Sequence, residues 1–516
     1  MRLSDLLAVL PDELEPTGRF GGEEIADPVI RGICYDSRQV SPGDLFVALT
    51  GAVSDGHAFV ERAQELGAAA LLLERIPEDL DLRQCPAVIV PDSRRALAPL
   101  AMRFFGQPSE ELELVGITGT NGKTSTSYLA ESILRAAGIA TGLIGTVEIR
   151  YEEERIAAVN TTPESLDLQR ILRAMRTRQI EAVIMEVSSH GLELGRVAGC
   201  EFKVAAFTNL TQDHLDFHPD MDAYLASKSR LFGEHLASPA QAVVNLDDPA
   251  AGAIITAARA SGAEILRCTR NPEAEAEIKL LEASVRMSGT RARAELRGQA
   301  IDLEVPLLGD FNLENLLVAC GIATALDIDP GTIAVGVSAC PQVPGRMETV
   351  GEGRESDPTV IVDYAHTPDA VEKLLAALRP LSEGRLITVF GCGGDRDRSK
   401  RPLMAESVAR HSDLALATSD NPRTEDPRSI LEDVEKGLGS LEACGPSELG
   451  QRSGCYAVLE DRRQAIQQAM AIAEPEDTVV LAGKGHEDYQ IVGRDKLPFD
   501  DREEAGRALA VWREDR

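Results

Sequence analysis

The sequence predicts an α/β protein of three domains, the middle one built on a parallel sheet. Length is the first reason. A chain of 516 residues exceeds what one hydrophobic core supports, and at roughly 150 residues per domain about three are expected. The second is rhythm: short apolar runs are followed by a glycine-bearing or polar turn and then by helical periodicity, the alternation of strands and covering helices. The third is punctuation. "FFGQPSEE", with Gly106 and Pro108, and "ACPQVPGRME", with Pro341, Pro344 and Gly345, interrupt that rhythm. They divide the chain into residues 1–108, 109–340 and 341–516.

In the first segment "GDLFVAL" and "AAALLLE" read as buried strands. From Leu112 the order is strand "LELVGIT", turn "GTNGKT" and helix "STSYLAESILRAAG", with Leu129, Ile133 and Leu134 on one stripe. "AVIMEVSS", "VAAFTNL" and "AQAVVNL" supply further strands of the same sheet. Residues 270–306 alternate in short segments and read as a small antiparallel insert. Beyond the second boundary, "TVIVDYAH", "LITVFGCGG", "LALATSDNP" and "DTVVLAGKG" each set polar residues directly after an apolar strand. Ligands of open α/β sheets sit at the carboxyl ends of strands, so these four turns are expected to line one crevice.

A hydrophobic fraction of 43% with 27% charged residues is that of a globular protein. No apolar run approaches the roughly 18 residues of a membrane span. The opening "MRLSDLLAVLPDELEP" turns acidic at once, unlike a secretory signal. Nine cysteines, without a C-x-x-C pair or zinc spacing, suit reduced thiols in a cytoplasm. The net charge of −31 argues against nucleic-acid binding, which needs a basic footprint, and is read as solubility. Any anionic substrate must then be held by local arginines and lysines.

"GITGTNGKTS", Gly116 to Ser125, falls short of the strict phosphate-loop pattern, since Ile117 stands where the first glycine belongs. It nonetheless keeps what a phosphate cradle needs physically. Gly119 and Gly122 let backbone N–H groups approach anionic oxygens, Lys123 reaches the terminal phosphates, and Thr124 offers a hydroxyl to Mg²⁺. The strand before it and the periodic helix after it supply the required frame. "MEVSSHGL" puts Glu186 at a strand end, a position from which it places Mg²⁺ directly or through water. "TNLTQDHLDFH" supplies Asp213, His214, Asp216 and His218 on a short loop, either a ligand set or plain surface polarity. Without cysteine, such a set points to Mg²⁺ rather than zinc. Lys228, in the helical "DAYLASKSRLF", reads by itself as a solvated face residue.

Twelve stretches in order make the chain resemble the Mur ligases, ATP-dependent amide-forming enzymes of peptidoglycan assembly, and within them the diaminopimelate-adding branch. They are "DSRQVSPGDLFVALTG", "GITGTNGKTS", "NTTPE", "MEVSSHGLELGRV", "TNLTQDHLDFH", "YLASKSRLF", "GDFNLENLLVA", "PGRME", "VDYAHTPDA", "GCGGDRDRSKRPLM", "SDNPRTEDP" and "AGKGHEDYQ". The resemblance implies a smaller N-terminal domain for a uridine nucleotide, a central P-loop ATPase and a Rossmann-like C-terminal domain that receives an amino acid. Expected substrates are ATP with Mg²⁺, UDP-N-acetylmuramoyl-L-alanyl-D-glutamate and meso-2,6-diaminopimelate, handled by a monomer.

By match, Gly119, Thr120, Asn121, Gly122, Lys123, Thr124, Ser125, Asn312, Arg346 and His366 are expected at ATP. Tyr35, Ser37, Ala52, Val53, Ser54, Asn160, Thr161, Thr162, Ser188 and Arg196 fall to the uridine substrate. Leu194 stands where some relatives carry glutamine, which removes one polar contact. Lys123, Glu186, Lys228 and His214 form the expected catalytic set, with Thr124, Glu186, His214 and Lys228 around the metal. The lysine matching Lys228 is carbamoylated in the family, which turns the ammonium into an anionic ligand. Arg396, Asp420, Asn421, Pro422, Arg423, Gly483 and Glu487 are expected at diaminopimelate. Arg423 is suited to its extra carboxylate, although a lone N-P-R also fits a turn-capping salt bridge. The rival readings are a lysine-adding ligase, a folylpolyglutamate synthetase-like ligase and a nucleotide-dependent scaffold.

Overall fold

The computed structural model describes residues 1–21, 27–51, 54–78, 80, 82, 85–351, 353–354 and 356–516. Three large sheets follow one another along the chain. The first has five strands in the order Gly18–Phe20, Ala87–Ile89, Ala70–Leu73, Asp44–Val47 and Gly32–Cys34. All pair in parallel except the antiparallel edge at Gly18–Phe20. Helix Ser93–Phe105 covers this sheet, starting where the Asp92 carboxylate accepts the Arg95 N–H at 2.8 Å. It stops at Gly106, whose φ of 74° is the left-handed cap that glycine adopts without strain. The break read at "FFGQPSEE" is therefore a helix stop.

The central sheet has eleven strands. Glu113–Thr118 lies in its middle, parallel to Ala182–Glu186 on one side and Phe202–Phe207 on the other. These strands are apolar on both faces because helices cover both, which explains their unbroken runs of Val, Ile, Ala and Phe. Helices Lys123–Ala136 and Asn312–Ala325 pack on one face with Leu129, Ile133 and Leu134 fully buried. The stretch read as a small insert is antiparallel, in strands Ile278–Arg286, Gly289–Leu296 and Gln299–Val305. It is not a separate unit, however. Ile278–Arg286 pairs in parallel with Glu264–Thr269 and so extends the central sheet.

The third sheet has seven strands and places Thr359–Asp363, Thr478–Ala482, Leu386–Cys392 and Leu414–Ser419 side by side, all parallel. These are the four strands whose polar turns were expected to share a crevice, and their carboxyl ends do emerge along one edge. Among the described residues no helix is long and apolar enough to cross a membrane.

Candidate active site

Strand Glu113–Thr118 runs straight into the turn Gly119–Gly122, which opens helix Lys123–Ala136. Ile117 is a buried strand residue, paired with Glu186 and Ala206, so the absent glycine lies outside the turn. The two glycines that remain are required. A Cβ on Gly119 (φ 150°) would lie 1.9 Å from Thr208 Oγ1, and one on Gly122 (φ 85°) 2.1 Å from Asn315 Oδ1. Asn209 pins the turn: its carbonyl accepts the Thr120 N–H at 2.8 Å and its Oδ1 the Asn121 N–H at 2.9 Å. No side chain caps the helix start, which leaves the N–H groups of the first turn to an incoming anion.

A cavity of about 900 Å³ opens over this turn, walled by the central sheet and by residues 363–377 of the third domain. Lys123 Nζ donates to the Gly119 and Thr120 carbonyls, both at 2.8 Å. Lys228 Nζ donates to the same Gly119 carbonyl at 2.8 Å, above the Tyr224 ring. With 1% exposure Lys228 is a buried lysine, not the solvated face residue that its helical spacing suggests. Burial first, and the neighbouring Lys123 charge second, push its pKa well below that of ordinary lysine. Burial lowers Lys123 as well, partly offset by Glu186 and Asp213.

Glu186 closes the far end of its strand. Its Oε2 accepts from Thr124 Oγ1 at 3.1 Å and Thr146 Oγ1 at 2.8 Å, and its Oε1 from the Thr146 N–H at 3.1 Å. Thr124 and Glu186 are thus brought together. His214 is not: it lines the cavity but hydrogen-bonds to neither, and Asp213 Oδ2 lies 3.5 Å from its Nε2. Among the described residues no three His, Cys, Asp or Glu side chains converge on one point. Instead His190 stacks on Phe217 at 4.0 Å and meets His214 edge-on at 4.8 Å. Burial lowers the His214 pKa to about 4 and keeps the ring neutral near pH 7.

On the opposite side of the cavity, Arg346 lies over the Tyr364 ring at 4.6 Å. His366 Nδ1 bonds the Tyr364 carbonyl at 2.7 Å, and burial lowers its pKa. Asn312 orients Asn315, whose Nδ2 donates to Asn312 Oδ1 at 2.8 Å.

A second, charged cluster of side chains lies at the carboxyl ends of Leu386–Cys392, Leu414–Ser419 and Thr478–Ala482. Arg423, with φ 51°, donates through Nη1 to the Gly394 carbonyl at 2.8 Å. It makes no ion pair among the described residues, so the turn-capping salt bridge is not formed. Arg396 approaches the same place: a Cβ built on Gly393 would meet Arg423 Nη1 at 2.9 Å and Arg396 Cγ at 3.9 Å. Asn421 Nδ2 donates to Glu487 Oε2 at 2.9 Å, and Lys484 Nζ reaches Asp420, Asn421 and Glu487. Burial opposes ionisation of Asp420, but the Lys484 and Arg462 charges outweigh it and hold its carboxyl below the usual range. Glu487 is pushed up by burial and by Asp420.

Residues 117–323 match the Mur ligase middle domain, 345–485 the Mur ligase glutamate ligase domain, and 29–105 the Mur ligase family catalytic domain. A UDP-N-acetylmuramoyl-L-alanyl-D-glutamate–2,6-diaminopimelate ligase of Geobacter metallireducens is 44% identical over 99% of this chain and 98% of its own. One of Gloeobacter violaceus is 45% identical over 99% of both. A solved structure described as such a ligase is 32% identical, with a TM-score of 0.65 over 94% of this chain and 95% of its own. The chain belongs to the Mur ligase family.

The other positions expected from that family lie in this Mur ligase as follows. Thr162 and Ser188 form a pair: Ser188 N–H donates to Thr162 Oγ1 at 2.9 Å, and Thr162 Oγ1 donates to the Glu186 carbonyl at 3.0 Å. Thr161 joins Thr146 at 3.0 Å, whereas Asn160 is exposed beside them. Arg196 donates to the Thr162 carbonyl at 3.1 Å and lies 3.6 Å from Glu164, which also holds Arg94 of the first domain. Leu194, half-exposed, ends the short helix Ser189–Glu193. Tyr35 donates to Asp167 of the central domain, and Ser37 is buried. Neither lines the 900 Å³ cavity, nor does Ser54. Ala52 and Val53 lie outside the described residues.

Four side chains of this Mur ligase escaped the sequence reading. Thr146 and Asn209 each follow the carboxyl end of a parallel strand, the same signal that singled out Glu186. Asn315 stands one helical turn from Asn312, on the same face. Lys484, inside "AGKGHE", carried no sequence signal beyond its charge.

Proposed function

We infer that this Mur ligase joins meso-2,6-diaminopimelate to the γ-carboxylate of D-glutamate in UDP-N-acetylmuramoyl-L-alanyl-D-glutamate, at the expense of ATP, during peptidoglycan precursor synthesis. Its relatives carry that activity in their names over nearly their whole length. One observation carries the reading: an uncapped helix start, the Lys123 ammonium and the Glu186 carboxylate all line one cavity shared by two domains.

A carboxylate does not condense with an amine until its oxygen becomes a leaving group. Phosphoryl transfer from ATP to the γ-carboxylate gives an acyl phosphate and ADP. The amine then attacks the acyl carbon, and phosphate departs with the former carboxylate oxygen. Two anions must meet in the first step. Lys123 and the free N–H groups of its helix neutralise the transferring group. Asn312, Arg346 and His366 hold the nucleotide, and closure of the third domain brings the amine to the acyl carbon. The uridine substrate lies along Tyr35, Ser37, Ser54, Thr161, Thr162, Ser188 and Arg196.

Mg²⁺ fits the donor set. It binds through one or two protein oxygens plus phosphates and water, so Thr124 Oγ1 and Glu186 Oε2, 3.1 Å apart, suffice as its protein side. Bound there, it supplies charge neutralisation at the phosphates. Lys228 fits carbamoylation, because only a neutral amine adds CO₂ and burial favours the neutral form. His214, which lines the same cavity as Thr124 and Glu186, is the nitrogen donor available to the metal from the facing loop.

The pocket at Arg396, Asp420–Arg423, Gly483 and Glu487 receives diaminopimelate. A guanidinium grips a carboxylate bidentately, and lysine would leave Arg423 unmatched. We place the domain boundaries near residues 108 and 340 and the reaction in the cytoplasm. Phosphate release measured with meso- and LL-diaminopimelate and with lysine tests the reading. Turnover with diaminopimelate far above lysine is expected, and equal or preferred use of lysine overturns it.

A further inference from the structure

Lys484 is the least expected group in the amino-acid pocket. It is fully buried, 0% exposed, an environment that disfavours an ammonium unless partners surround it. Its Nζ lies 3.3 Å from Asp420 Oδ1, 3.2 Å from Asn421 Oδ1 and 3.5 Å from Glu487 Oε2. One ammonium thus sits between two carboxylates and an amide, all three of them pocket residues.

Two consequences follow from those contacts. The first is orientation. Asn421 Oδ1 accepts from Lys484 and from the Ile491 N–H at 2.9 Å, so its amide nitrogen must face Glu487 Oε2. Lys484 therefore settles how Asn421 and Glu487 point. The second is charge. Of the other buried cations nearby, Arg462 is engaged by Asp501 at 2.6 Å and Arg401 by Glu425 at 2.9 Å and Asp433 at 3.0 Å, and Arg423 points to the Gly394 carbonyl. Lys484 alone is shared between Asp420 and Glu487. Two carboxylates with one ammonium leave one negative charge. The oxygens turned away from Lys484 are lightly used: Asp420 Oδ2 has no hydrogen-bond partner among the described residues, and Glu487 Oε1 only the Tyr489 hydroxyl at 3.5 Å.

We propose that Lys484 is a positioning and specificity-determining residue: it leaves the Asp420–Glu487 pair one unpaired negative charge, matched to a single substrate ammonium beside the carboxylate held by Arg423. The pocket is thereby set for a zwitterionic amino-acid end. Without Lys484 its surplus negative charge favours a bare ammonium and opposes a neighbouring carboxylate. The inference rests on reading residues 420–423 and 483–487 as the site of diaminopimelate.

The test is steady-state kinetics of Lys484→Met and Lys484→Arg with diaminopimelate, lysine and ATP varied in turn. Lys484→Met is expected to raise KM for diaminopimelate more than tenfold, to keep KM for ATP within about twofold, and to lower the preference for diaminopimelate over lysine. Lys484→Arg is expected to restore that preference in part. Should Lys484→Met not fold, Lys484→Gln removes the charge but keeps a donor and carries the same expectation. Unchanged diaminopimelate kinetics, or equal loss toward both amino acids and ATP, overturns the proposal. A wild-type protein that does not turn over diaminopimelate overturns the pocket's assignment and this inference with it.

Discussion

The glycine turn at residues 119–122 and the pocket at residues 420–423 and 483–487 each hold one buried ammonium, Lys228 and Lys484, but they are made of different materials. The turn is backbone. Its shape is enforced by two glycines whose Cβ atoms would clash at 1.9 Å and 2.1 Å, and its anion donors are main-chain N–H groups of an uncapped helix. The pocket is side-chain charge: two arginines, two carboxylates and one buried ammonium, oriented by an amide. The difference separates generality from choice. Peptide N–H groups serve any triphosphate, whereas a pocket of counted charges distinguishes one amino acid from another.

Substitutions that remove one material and leave the other sharpen this contrast. Lys123→Met, which takes the only mobile charge from the turn, is expected to lower kcat about 10³-fold, the scale of a lost transition-state donor. Nucleotide binding should weaken much less, as measured by fluorescence or calorimetric titration of ADP. Arg423→Ala is expected to cost roughly 10²-fold or more in kcat/KM for diaminopimelate, since charge-assisted hydrogen bonds contribute about 1.5–3 kcal/mol each. KM for ATP should stay within about twofold, and an equal rise in both constants would erase the distinction between the two sites. Gly122→Ala adds no charge and removes none. Its φ of 85° and the 2.1 Å approach to Asn315 predict roughly tenfold weaker ADP binding, with diaminopimelate KM unmoved.

The smallest effect expected is one of pH. The proposed carbamoylation would consume neutral Lys228, whose pKa is lowered by burial, so the neutral amine persists to lower pH than in ordinary lysine. As pH falls through that lowered value the ammonium returns and CO₂ is lost. Activity should therefore drop severalfold on the acid side and recover with added bicarbonate, and indifference to bicarbonate would count against the carbamate.

The same contrast explains what the sequence disclosed. Backbone demands leave marks: Gly119, Gly122 and the helix stop at Gly106 are legible because few other residues adopt those conformations. Strand polarity made the carboxyl-end turns legible as well, and Glu186 with them. Side-chain networks leave no such mark. Lys228 read as a solvated residue because helical spacing says nothing about what a neighbouring loop covers, and Lys484 passed unnoticed for the same reason. In the Asp213–His218 loop the sequence showed polar donors but not that His214 and Phe217 pack around the His190 ring. The insert at residues 270–306 was recognised as antiparallel but not as part of the sheet, since pairing with Glu264–Thr269 is a tertiary fact.

If the glycine turn activates the acid and the Arg423 pocket delivers the amine, an acyl phosphate must link the two steps. The most direct measurement uses the uridine substrate labelled with ¹⁸O in the D-glutamate γ-carboxylate, with mass analysis of the phosphate released on ligation. The account predicts one labelled oxygen in each phosphate, carried from carboxylate to phosphorus through the acyl phosphate. Phosphate without label, released in step with amide formation, would contradict it.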